Sequence, residues 1–181
     1  AIVLGIDGCP DGWCGVLIEV RGERLTVRPP RLVPAFDQVL ASDAEIIGID
    51  IPIGLVDRPG GRSCDRHARG LLGAPRASSV FSAPSRGVLY HAGVQRFFSG
   101  DALTPHEMKD LYRRAGDVNE ELTGKRLSQQ AFHISKKVRE VDLLMTRALQ
   151  GRVREVHPEV CFQALNGRQA RRSRMRTGTP G

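Results

Sequence analysis

Asp7 and Asp50 each close a short apolar run. Residues 1–6 are apolar apart from Gly5 and lead into Asp7 and Gly8; residues 46–49 (IIGI) lead into Asp50, and Pro52 follows. Proline cannot donate to a strand ladder, so pairing should stop there. Both runs read as strands buried on both faces, in a parallel or mixed sheet covered by helices. Each then delivers an aspartate to the carboxyl edge, where open α/β sheets bind ligands. Three further acids stand near apolar elements: Asp142 beside the apolar face of a helix over 128–150, Glu155 on a last strand, and Glu159 just past it in EVHPE. Carboxylates converging from different elements can hold two divalent ions about 4 Å apart, which stabilise the attacking and leaving oxygens of phosphodiester hydrolysis. An all-oxygen set suits Mg²⁺ or Mn²⁺. The expected ligands are Asp7, Asp50, Asp142, Glu155 and Glu159, with the first four as catalytic residues. The simpler reading of each acid is a turn or helix cap.

Other chemistries find less support. Cys9, Cys14, Cys64, Cys161, His67 and His157 have no zinc-module spacing. No GxSxG elbow occurs, which argues against a Ser-His-Asp hydrolase. His157, between two glutamates, could act as a base, support a ligand or simply bond structurally. Lys125, Ser128, Gln129, Lys136 and Lys137 cluster near a helix start that could meet phosphate, although the lysines also fit a solvated face. Arg86 in SAPSR could contact an anion.

The elements that must position these groups run in a clear order. A meander is expected, with strands over 1–7, 13–21 and 24–29, the first turn being GCPDG. A short helix over 36–42 leads to the strand at 46–50. The DRPGGR segment at 57–62 must be loop; 64–73 reads as a short helix ending at Gly73. Residues 77–86 have little periodicity and read as an ordered loop over a site or as a surface loop. Another short helix is expected over 88–98. Thr104-Pro105-His106-Glu107 has capping-box spacing with proline at the first helical position. Apolar residues then recur at helical spacing as far as Gly124. Ser128 should cap the next helix, which Gly151 stops. A last strand at 152–157 and a short helix over 160–165 complete the chain.

With 181 residues, 40% hydrophobic and 26% charged, the chain has the composition of one soluble domain with its own core. No apolar run is long enough for a membrane span, the first residues read as a strand rather than a signal peptide, and four cysteines make no disulfide scaffold. A cytoplasmic location is the default expectation. The net charge is +7, but residues 168–176 hold five arginines, and taking those away leaves +2. This divides the chain into a domain at 1–167 and a basic tail at 168–181, disordered or truncated, that could bind nucleic-acid phosphates or stay solvated.

The motifs GIDGCPDGW, IGIDIPIGL, RSCDRHARGLLG, SVFSAPSR, GKRLSQQAFHISKKVREVD and EVHPEVCFQALNG, in this order, resemble the domain-of-unknown-function family four-two-nine, often labelled predicted RNase H-like nuclease. The likeness covers residue 2 to about 167. It implies an α/β, RNase H-like fold: a five-stranded mixed sheet, first three strands antiparallel, helices on both faces. It also implies that Asp7 and Asp50 match the two sheet carboxylates of such nucleases; it does not assign the third and fourth acids. Family members look longer, with a further C-terminal helix. Its absence would leave a sheet face uncovered and favour a homodimer.

The leading expectation is thus a metal-dependent nuclease. The alternative is a non-catalytic module that binds nucleic acid or a protein. A nucleotide-binding phosphotransferase of the actin and sugar-kinase type ranks lower, since those proteins enclose ATP between two domains.

Overall fold

The structure, a computed structural model, describes the backbone of residues 1–176 and the side chains of 1–167. The arginines of the expected basic tail therefore lie, as side chains, outside the described residues, as do residues 177–181. The strands are β1 (Ile2–Cys9), β2 (Gly12–Arg21), β3 (Arg24–Val27), β4 (Arg31–Val33), β5 (Ile46–Ile49) and β6 (Val153–Glu155). The helices are α1 (Phe36–Leu40), α2 (Ser63–Leu72), α3 (Arg86–Tyr90), α4 (Gln95–Phe98), α5 (Pro105–Thr123), α6 (Gln129–Leu144) and α7 (Pro158–Arg176). No helix among the described residues is long and apolar enough to cross a membrane.

The sheet runs β3-β2-β1-β5-β6, with β4 also on β2. β1, β2 and β3 are antiparallel neighbours; β5 joins β1 in parallel and β6 joins β5 in parallel. This is the expected mixed α/β sheet of RNase H-like topology, flanked by helices on both faces, with one strand more than expected. The extra strand has a cause in the sequence. Arg28, Pro29 and Pro30 interrupt the outer edge, because proline has no N–H to give. Pairing with β2 stops at Val27 and resumes at Arg31.

Register explains the core. Leu4 lies opposite Ile47 and Ile6 opposite Ile49, so all four point to the same face. They are buried there with Phe36 and Val39 of α1 and with Val138 and Val141 of α6. Trp13 is fully buried, and its indole N–H donates to Glu140 Oε1 at 3.0 Å. The same oxygen accepts the Phe36 backbone N–H at 2.6 Å. Glu140 thereby serves as the missing N-terminal cap of α1, whose own preceding residue, Ala35, has no capping side chain. A second core beside the first gathers Val88, Val94, Phe97, Leu111, Ala115 and Phe132. α6 lines both.

The opposite face is open over the antiparallel half. Val16, Ile18 and Val20 are only half-buried there, and Leu25, Val27 and Leu32 are 58–64% exposed. The reading of the first and fourth strands as buried on both faces is therefore corrected. Gly5 and Ile46 are exposed on that face as well.

Helix boundaries follow local chemistry. Thr104 and Glu107 form the expected capping box with Pro105 in the first turn, and Gly124 ends α5 in the left-handed conformation. Ser128 caps α6 by accepting from the Ala131 N–H. The helix expected over 88–98 is broken at His91, whose backbone is extended and whose ring nitrogen accepts from the Gly93 N–H. α6 stops at Leu144, where Met145 turns extended. α7 continues well past residue 165, to Arg176.

Candidate functional site

Ile6 and Ile49 are register partners on one face, so Asp7 and Asp50, the next residues, both belong to the other. The two aspartates thus share one face as well as one edge. Glu155 does not join them. It lies opposite Ile49 in β6 and so sits on the Ile49 face. Asp142 is on α6, which packs against that same buried face. The sheet therefore separates Asp7 and Asp50 from Glu155 and Asp142.

Each acid beyond the first two also has a partner. Glu155 accepts two hydrogen bonds from Arg62, both 2.7 Å, and one from the Ile53 N–H at 2.9 Å. Asp142 accepts from Arg86 Nη2 and from the Tyr90 hydroxyl, each at 2.8 Å. Burial first, and then that bond to Asp142, push the Tyr90 phenol up to about 12. Glu159 Oε2 lies 3.0 Å from His157 Nδ1, an ion-pair contact rather than an aligned hydrogen bond. Asp7 Oδ1 accepts from the Gly8 N–H at 2.7 Å, a local bond to the next residue of β1.

Among the described residues no three His, Cys, Asp or Glu side chains are grouped so that they could hold a metal ion. The residues present do not fit Mg²⁺ or Mn²⁺. This overturns the expected two-metal hydrolysis of phosphodiesters, and with it the metal-dependent nuclease and hydrolase readings. The physical reasons are the alternation that turns Glu155 away from Asp50 and the arginines that occupy Glu155 and Asp142.

Asp50 carries the clearest electrostatic signature of this edge. Desolvation pushes its carboxyl up to about 6; Asp7, Glu159 and Glu155 add to the rise, and His157 opposes it. A carboxyl raised in the folded state favours folding while protonated and loses that advantage as pH rises from about 4 through 6. A two-unit shift is worth about 3 kcal/mol at full strength, but the residue is exposed, and screening brings this to about 1 kcal/mol. Asp50→Asn is expected to stabilise the protein by about 1 kcal/mol at pH 7.5 and not at pH 4. Urea titrations at both pH values check this; an equal gain at both would refute the electrostatic cause.

A second feature was not singled out from the sequence. A cavity of about 650 Å³ opens between the 56–62 loop, α2, the 80–84 segment, the end of α5 and residues 125–128. Arg62, Arg66 and Arg69 stand at i, i+4 and i+7, so α2 turns one arginine stripe toward it. Arg62 is spent on Glu155 and Asp65. Arg66 Nη1 instead donates to the Gly60 carbonyl at 2.8 Å, and Arg69 Nε to the Val80 carbonyl at 2.8 Å. Gly60 and Gly61 both have positive φ (84° and 62°), a turn that only glycine makes without strain. Lys125 is exposed at the rim. Arg66, Arg69 and Lys125 have no carboxylate within ion-pair distance among the described residues. Arg126, also in the lining, is paired with Asp117 and Glu120.

Of the polar groups noted near the start of α6, Lys125 and Ser128 line this cavity. Lys136 and Lys137 lie elsewhere, over the rings of Phe97 and Trp13 at 4.7 Å. Arg86 faces Asp142. The arginine stripe was legible in CDRHARGLLG as a helical spacing. The carbonyl tethers that aim it were not.

The chain matches the family described as Protein of unknown function (DUF429) over residues 5–180. No curated protein and no solved structure matches it.

Proposed function

Because the chain belongs to the DUF429 family, whose description carries no activity, we propose from its own geometry that it is a non-catalytic, nucleic-acid-binding module on an RNase H-like fold. The observation that supports this reading is the division of charge. The candidate carboxylates are mostly engaged, whereas Arg66, Arg69 and Lys125 gather at one cavity whose acid, Asp65, is taken up by Arg62. Arg66 and Arg69, each held by a backbone carbonyl, and the exposed Lys125 suit phosphate oxygens, and neutralised phosphates release counterions. The acidic edge at Asp7 and Asp50 repels the same chain and helps confine it to the cationic side.

Three phosphate contacts on a single strand predict that log K falls with log salt at a slope of about −2. Fluorescence anisotropy with a labelled single-stranded oligonucleotide across a salt series checks it. Binding should persist in EDTA, and the oligonucleotide should keep its length. No binding at low salt, or binding lost on chelation, would overturn the reading.

A further inference from the structure

We propose that the cavity takes the phosphorylated end of a nucleic-acid strand rather than the middle of one, an inference that rests on the binding reading above. The first support is a side chain that bridges two walls of the cavity. Asn119 is 5% exposed. Its Oδ1 accepts the Ser85 N–H at 2.9 Å and its Nδ2 donates to the Lys125 carbonyl at 2.7 Å. One side chain therefore stitches the wall at 80–85 to the wall at 125–128, with Pro84 fully buried beside it. A strand running straight through would have to break both bonds. A strand end need not.

The second support is the donor supply. Arg66 Nε and Nη2, Arg69 Nη1 and Lys125 Nζ have no hydrogen-bond partner among the described residues. A terminal phosphate monoester offers three acceptor oxygens and a charge approaching −2, against two free oxygens and −1 for an internal diester. The terminal group matches the free donors better. The third support is size. About 650 Å³ is the volume of a small-molecule site, enough for one or two nucleotides and too little for a long groove. Half-buried Phe81 in the lining gives the terminal base a ring to stack on.

The test uses one internally labelled single strand in three forms: 5′-phosphorylated, 3′-phosphorylated, and hydroxyl at both ends. A phosphorylated form should bind at least about tenfold more tightly than the hydroxyl form, and whichever end shows the gain sets the polarity. Lys125→Gln, at an exposed side chain with no partner, should reduce the gain. Lys125→Gln with Arg69→Gln should abolish it, with a circular-dichroism melt to confirm folding. Equal, salt-sensitive binding of all three forms would overturn the end preference and leave the module reading standing. No binding by any form would overturn both. A gain that survives in the folded double variant would place the end elsewhere and refute this site.

Discussion

Arg62→Ala is expected to lower the unfolding free energy by about 3–5 kcal/mol, the cost of breaking a buried ion pair from one side. The guanidinium is 6% exposed. All five of its N–H groups are used: two reach Asp65, two reach Glu155, and one reaches the Ile53 carbonyl. Burial works against its charge, but the bonds to Glu155 and Asp65 outweigh that and hold its proton more firmly than usual. Without it, Asp65 and Glu155 face each other with nothing between them, Asp65 at only 8% side-chain exposure. Their mutual repulsion adds to the cost of the lost bonds. Denaturant midpoints of the variant and the parent protein test this. A loss below about 1 kcal/mol would mean that the pair contributes no more than an exposed one. Arg62→Lys should recover only part of the loss, because an ammonium cannot form the paired contacts to two carboxylates.

Asn119→Leu is expected to cost about 2–4 kcal/mol, the second largest effect. The side chain keeps its shape and loses its polar ends. The Ser85 N–H is then stranded in a site that leucine closes to water, and the Lys125 carbonyl keeps only the Thr123 hydroxyl, at 3.3 Å. The Thr123 hydroxyl, which also meets the Asn119 amide at 3.2 Å, loses a partner too. Amide exchange at Ser85 should rise along with the loss of global stability. If the melting temperature falls while Ser85 stays protected, the wall is held by something else. Asn119→Asp is a useful companion: it can still accept from Ser85 but presents an anion to the Lys125 carbonyl, so it should rescue less than half of the loss.

The sheet was legible because its signal is local. Apolar runs ending at Asp7 and Asp50 need only near neighbours to be read as strands, and these two acids do share an edge and a face. Thr104, Glu107 and Ser128 were likewise legible, since caps act over three residues. Glu155 misled because facing depends on register, and register joins residues far apart in the chain. One residue's difference in pairing with β5 would have turned it toward Asp50. Asp142 misled for a related reason: being next to an apolar position on a helix says nothing about which cation the facing loop supplies. Arg62, Glu140 and Asn119 were passed over because each owes its role to a partner between 34 and 127 positions away. In sequence, Arg62 is the last residue of the DRPGGR loop. In the fold, it joins Glu155 at the end of β6 to Asp65 on α2.

The split outer edge of the sheet bears on how the protein behaves when crowded. A free strand edge invites strand addition from another chain, and fibril growth needs six or seven uninterrupted residues of backbone. Here the edge offers four residues in β3 and three in β4, separated by Arg28, Pro29 and Pro30. Arg24 and Arg31 add like charge to the two segments. Two copies brought edge to edge would find no run long enough to zip. The proline pair thus protects the folded chain against templated aggregation, even though the neighbouring sheet face remains apolar and open.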